Sequence, residues 1–222
     1  MDPGFTSKID PVTGFVDLLY PRYTSVAAAL ELIGKLEGIR YVPEEDLFAI
    51  EVDYGKFDGT ASSPRKKWTL WSYGKRVRSY RDRKSGQWSW DEIDLTGEFR
   101  RFYDRYGIDI SGDIRQQLLD RPEKEVLEGF LYLFRLMLQM RNSIPNGQED
   151  DLVSPVRDEK GKFFDTKTLP KDNGLPENAD ANGAYNIARK ALLMLREMRE
   201  DPKHRFKRVK REDWMRYVQN HE

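Results

Sequence analysis

Cysteine is absent from all 222 residues. That excludes disulfide frameworks, thiolate zinc sites and cysteine nucleophiles together, and suits a reducing, intracellular setting. Histidine is almost as scarce: only His204 and His221 occur, both close to the end. Serine–histidine triads and His-rich metal sites are therefore poor fits. A run of about 18 apolar residues, the length a spanning helix needs, is also missing, so no membrane partner is expected. The first residues lack the charged start and apolar stretch of a secretory signal. Met1-Asp2-Pro3 reads instead as an artificial start over residues 1–4, joined to an internal segment of a longer protein. Nor is there an excess of charge of one sign, because 38 basic and 38 acidic residues cancel. A chain of this kind is no simple polycation, although local basic patches remain open to phosphate contact.

What is present is a large apolar complement (38%, with 12% aromatic) inside a heavily charged chain (34%). This suffices to bury a sizeable core in one large domain or a domain with an appended piece. Residues 5–23 lack a clear period, and Asp10-Pro11 and Tyr20-Pro21 favour extended or turning backbone. Thr24 or Ser25 can cap a helix through Val26, Ile33 and Leu36, closed by Gly38. Between Ile39 and Val52, Trp68 and Tyr73, and Arg76 and Tyr80, β-branched and aromatic residues predict strands of an antiparallel sheet. Spacing then predicts an amphipathic helix over Asp91–Tyr106, ending at Gly107, and a short helix near Ile114–Leu119. The most apolar segment, Glu123–Arg141, reads as the organising core helix. From Asn142 to Asn178 the chain turns polar, with a hairpin around Val156–Phe164. A long helix is expected from about Ala181 to Arg199, then a basic tail, Lys203–Arg211, and a short docking helix carrying Trp214, Tyr217 and Val218.

Four features could carry chemistry. Asp180, opening the last long helix, offers a hard oxygen ligand to Mg²⁺, but Asp is also among the best helix N-caps. Arg141, where the core helix is expected to stop, has the planar fork that matches phosphate, with Asn142 and Ser143 beside it. Complementing the helix dipole explains it equally well. Glu149-Asp150-Asp151 could bind a cation or orient Arg141, or be a solvated turn. Finally, Arg65 to Lys84 holds nine basic residues, Lys75 and Arg76 among them, against one acid. Trp68, Trp71, Tyr73 and Tyr80 interleave with them, as a single-stranded nucleic acid path requires, and a solvated sheet face would look similar. Spacing alone thus reaches a cysteine-free, mixed α and β domain with nucleic-acid leanings.

Read jointly, several motifs go further: Thr6-Ser7-Lys8-Ile9-Asp10-Pro11 with Thr13-Gly14-Phe15-Val16, then Trp68-Thr69-Leu70 with Tyr73-Gly74. Leu138-Gln139-Met140-Arg141-Asn142-Ser143 follows, then Ser154-Pro155-Val156-Arg157, and Ala179-Asp180-Ala181-Asn182-Gly183-Ala184-Tyr185-Asn186-Ile187-Ala188. In this order and spacing, over residues 5–222, the chain resembles the type V-A CRISPR effectors, the Cas twelve-a or Cpf-one family. The resemblance implies an α+β fold. A mixed helical and antiparallel-sheet Nuc domain would occupy 5–177, and 178–222 would be the third, helical segment of an incomplete RNase H-like RuvC domain.

It further implies an RNA-guided DNA endonuclease, cytoplasmic and prokaryotic, that hydrolyses phosphodiesters with Mg²⁺. Asp180 matches that nuclease's third catalytic carboxylate and metal ligand. Arg141 matches an arginine needed for target-strand cleavage, and Asp150 and Ser143 match neighbours in the same pocket. Lys75 and Arg76 join Arg141, Ser143 and Asp150 as the expected nucleic-acid contacts. Some relatives carry an acid two residues before the catalytic Asp; here Asn178 stands there, so that position is no essential ligand. The other RuvC carboxylates, guide-RNA processing and PAM reading belong to segments outside this chain. The expected partners are target DNA and, through the rest of the effector, guide RNA. Alone, the chain is expected to be inactive. One alternative is a non-catalytic DNA-binding module, and another is a separate hydrolytic centre built on Arg141 and Asp150.

Overall fold

A computed structural model describes residues 6–144, 149–170, 172–200 and 209–220. Ser25 is extended, and its hydroxyl accepts the Ala28 N–H at 3.2 Å, which starts α1 (Val26–Lys35). The helix does not reach Gly38. Leu36 turns extended (φ −68°, ψ 141°), and Gly38 opens the next strand. Strands β1 (Gly38–Val42), β2 (Leu47–Asp53) and β3 (Lys67–Trp71) pair antiparallel in that order, with Ile39 opposite Ile50 and Ile50 opposite Leu70.

The remaining predicted strand does not extend this sheet. Gly74, in the left-handed region at φ 77°, turns the chain away after β3. A Cβ there would lie 2.9 Å from Val153 Cγ1, so the turn also needs the missing side chain. Strands β4 (Lys75–Arg81) and β5 (Trp88–Asp94) form a separate two-stranded ribbon. The helix expected from Asp91 begins later, as α2 (Leu95–Arg105). Residues 91–94 finish β5, and the Asp94 carboxylate caps the helix by accepting the Gly97 N–H at 2.7 Å.

The short helix α3 (Ile114–Leu119) lies where expected, capped by Asp113. The core helix α4 (Lys124–Leu138) buries nine side chains, from Val126 to Leu138. It stops before Arg141, because Gln139 is already extended (φ −70°, ψ 107°). The polar stretch that follows contains a sheet of its own: β6 (Arg141–Ile144), β7 (Glu149–Arg157) and β8 (Phe163–Asp165), all antiparallel. The hairpin expected around Val156–Phe164 is the β7–β8 pair. The long helix is α5 (Ala179–Glu200) and the docking helix is α6 (Arg211–Gln219). Among the described residues the fold is therefore α+β: six helices and three small antiparallel sheets, without a barrel. No described helix is long and apolar enough to cross a membrane.

The N-terminal segment, which shows no clear period in the sequence, is architectural. The buried Asp10 carboxylate accepts the N–H groups of Val12 and Thr13 and the Thr13 hydroxyl, closing a turn. Burial raises its pKa, and these bonds pull the other way. Buried Asn182 and Asn186 on α5 donate to the carbonyls of Ile9 (2.9 Å) and Thr6 (3.0 Å). Gln219, at the end of α6, donates to Gly14 O and accepts from Arg65 N. Two distant helices thus clasp one turn, which fixes where α5 starts.

Candidate functional site

The segment Arg141-Asn142-Ser143 works by alternation, because successive side chains on an extended chain point to opposite faces. Gln139 donates to Val77 O at 2.9 Å. Asn142, buried, accepts the Val77 N–H at 3.1 Å and donates to Lys75 O at 3.0 Å. These two amides stitch β6 to β4 as a strand partner would. Arg141 and Ser143 are thereby turned to the opposite face. The β6–β7 register sets Ser143 directly across from Asp150, so three polar side chains converge.

Arg141 Nε donates to Ser143 Oγ at 2.7 Å and to Asp150 Oδ1 at 2.8 Å, and its Nη2 lies 2.8 Å from the same oxygen. Ser143 Oγ also hydrogen-bonds that carboxylate. The other Asp150 oxygen accepts the backbone N–H of Asp180 at 3.2 Å. This N–H belongs to the first turn of α5, where no intrahelical acceptor exists. One half-buried carboxylate therefore orients the guanidinium and anchors the helix that carries Asp180.

Asp180 itself is not the helix cap. The Ala181 N–H is taken by Asn178 Oδ1 at 2.8 Å, which leaves the Asp180 carboxylate free of capping duty. Its one side-chain partner among the described residues is Arg141 Nη2 at 3.2 Å. Asp180 is 85% exposed and Asp150 only 22%. An exposed ion pair contributes about 0–1 kcal/mol, whereas the shielded Asp150 arm has several charge-assisted bonds. Arg141 is held by Asp150 and only lightly tied to Asp180, which stays available to another cation. Its hard carboxylate oxygens are of the kind that suits Mg²⁺. No group of three or more His, Cys, Asp or Glu that could hold a metal is assembled among the described residues.

Three expectations change. Arg141 starts a strand, so it does not complement a helix dipole. Arg76 is fully buried and donates to the carbonyls of Leu136, Tyr73 and Lys75 at 3.0–3.2 Å. Burial draws its pKa down to about 10. Committed to the end of α4, its guanidinium has no path to a phosphate, and it leaves the nucleic-acid set. Lys75 stays exposed, 3.4 Å from Glu92. The acidic triplet is not a turn either. Its members lie on β7, with Asp150 on the Arg141 face and Asp151 on the other, near Thr166 and Lys167.

The basic run Arg65–Lys84 is likewise divided between β3 and the β4–β5 ribbon. Of its aromatics, Trp68 is buried under Arg65, Trp71 lies against Arg40 and Arg157, and Tyr73 stacks on Phe163 at 4.0 Å. Tyr80 alone is exposed. Most of Lys203–Arg211, with His204, and also His221 fall outside the described residues.

The molecule is thus an α+β protein with an arginine set between two carboxylates, an arrangement chemically suited to gripping a phosphodiester beside a cation. Its family follows from comparison. Residues 9–168 match the family model described as NUC, Nuclease domain. The chain belongs to that nuclease-domain family. Arg141, Ser143 and Asp150 fall inside the matched span, and Asp180 lies beyond it.

Proposed function

We propose that the chain is the C-terminal part of a CRISPR RNA-guided DNA endonuclease. Its Nuc domain positions a DNA strand, and Asp180 gives one carboxylate to a RuvC-type centre completed by polypeptide outside the chain. The supporting observation is the Arg141 guanidinium, held by Asp150 and Ser143 beside an exposed, uncapped Asp180. A magnesium ion held there would supply Lewis-acid activation of water and stabilise the leaving oxygen. Asp180 would be its ligand in this chain. Arg141 grips the phosphate of the incoming strand, Ser143 and Asp150 keep its fork aimed, and Asp150 fixes the helix that carries the ligand. Ile187, Leu192 and Leu195 are exposed on α5, the helix bearing Asp180. Such an apolar face is ordinarily covered in a complete protein, in keeping with partner polypeptide that brings the remaining carboxylates.

The test is Mg²⁺-dependent DNA cleavage by the intact effector with Asp180→Ala and Arg141→Ala. Asp180→Ala should lose nearly all cutting, and normal cutting would refute the assignment. Arg141→Ala should slow one strand more than the other, and equal slowing of both would argue against steering. The same assay on the chain alone should show no cleavage. Cutting by the chain alone that survives Asp180→Ala would place a separate hydrolytic centre in the Nuc domain.

A further inference from the structure

Two sheet edges meet behind Arg141 without forming a ladder. β6 ends its sheet, with β7 as its strand partner, and β4 is half of a two-stranded ribbon whose other half is β5. Backbone groups along a buried strand edge need partners. On the edge of β4 that faces β6, side chains supply them. The Asn142 amide accepts the Val77 N–H at 3.1 Å and donates to Lys75 O at 3.0 Å. Gln139 donates to Val77 O at 2.9 Å and to Asn142 Oδ1 at 3.2 Å.

This edge has a fixed reference. Arg76, buried on β4, donates from Nε to Leu136 O at 3.2 Å and from Nη1 to Lys75 O at 3.0 Å, so the base of the ribbon is locked to the last turn of α4. The linkage then runs through Asn142 to β6, where the adjacent residue on the opposite face is Arg141. Few side chains can occupy the link. It must accept from Val77 and donate to Lys75 O on one short arm. Asparagine does both, ionised aspartate only accepts, leucine does neither, and glutamine is a methylene longer. At the front, Arg141 rests on half-buried Asp150 and on Asp180, which is 85% exposed. Orphaning buried backbone groups costs more than an exposed ion pair returns. The rear link therefore sets where β6 sits, and the front contacts adapt.

We propose that Asn142 is a positioning residue for strand cleavage. Itself 1% exposed and out of reach of substrate, it holds β6 against the ribbon and so fixes the aim of the Arg141 guanidinium. The inference rests on the nuclease reading above and adds to it a residue that acts through another.

The test begins on the full chain carrying isotope-labelled arginine. The Arg141 Nε–H resonance, assigned by its loss in Arg141→Lys, should be shifted and protected from solvent exchange by its bonds to Ser143 and Asp150. Asn142→Leu fills the same space without bonding β4. It should move the resonance towards that of free arginine and quicken its exchange about tenfold. In the intact effector it should slow the same strand as Arg141→Ala, through kcat more than KM. The double variant Arg141→Ala/Asn142→Leu should cut no more slowly than Arg141→Ala alone. An unmoved resonance, or slowing that adds to that of Arg141→Ala, would overturn the role, as would a lowered melting temperature with both readouts unchanged. Should Asn142→Leu fail to fold, Gln139→Ala decides, since it removes bonds from a half-buried position. Exchange should then quicken about threefold, and parental exchange would overturn the proposal. The two readings fail separately. Normal cutting by Arg141→Ala beside a resonance that moves would sink the part of Arg141 in cleavage and leave its positioning intact. Lost cutting by Arg141→Ala beside an unmoved resonance would sink the positioning alone.

Discussion

Charged side chains in this protein are sorted by burial more than by number. Arg76 and Lys75 are adjacent, yet one closes α4 from inside and the other stays in solvent. Asp17 shows the same sorting with a pH signature. It lines a cleft of about 470 Å³ beside Arg141, and its carboxylate accepts the Leu19 N–H at 3.0 Å. Burial raises its pKa to about 7, with the Leu19 N–H and the nearby Lys8 opposing; its charge also bears on the Tyr54 phenol. The folded state therefore holds this proton more tightly than the unfolded chain does. As pH rises from the ordinary carboxylate range towards 7, the stability the proton provides is lost, and above 7 the full cost of the buried charge remains. Asp17→Asn keeps the acceptor and removes the charge. Its melting temperature should match the parent near pH 4, exceed it increasingly up to about pH 7, and hold a constant lead beyond. A lead that does not change with pH would show that Asp17 is not desolvated.

Among the elements, α6 has the sharpest dependence on a single position. Gly14 is in the left-handed region at φ 69°, and a Cβ there would lie 2.5 Å from Val218 O. Both the conformation and the approach require the absent side chain. Gly14→Ala should therefore destabilise the chain by about 2–4 kcal/mol, by left-handed strain and overpacking against backbone. Urea unfolding measures this, and amide exchange should quicken first in α6. A loss under about 0.5 kcal/mol, the ordinary surface range, would mean the turn does not seat the helix. Helices α3 and α5 were legible from local rules, apolar spacing and a change of composition, although α5 is capped by Asn178 and not by Asp180. The onset of α2 was not, because β5 and α2 share one run of apolar and acidic residues. Only pairing with β4 decides that Asp91 to Asp94 are strand.

The whole molecule has one continuous apolar core, running from Ile9 through the three sheets and α4 to Val218. The N-terminal turn belongs to it as fully as the last helix. Far-UV circular dichroism and tryptophan fluorescence should consequently report one coincident thermal transition. A separate early transition would show α5 and α6 melting on their own, and would break the link between the core and Asp180.

By itself the sequence determined what local chemistry controls: the class of fold, a helix cap at Thr24 or Ser25, the punctuation at Gly107, and a short set of acids and arginines fit for phosphate and metal. The tertiary structure alone decided which of those residues meet. Asp150 and Asp180 are thirty positions apart and touch only because the β6–β7 register and the clasp of Asn182 and Asn186 on the N-terminal turn bring them together. The cleft beside Arg141 draws on three separated segments: the N-terminal segment, the β4–β5 ribbon, and the end of α4 with the start of β6. Its rings and cations mean nothing locally, since exposure and convergence are properties of packing, and packing is set by contacts between residues far apart in the chain.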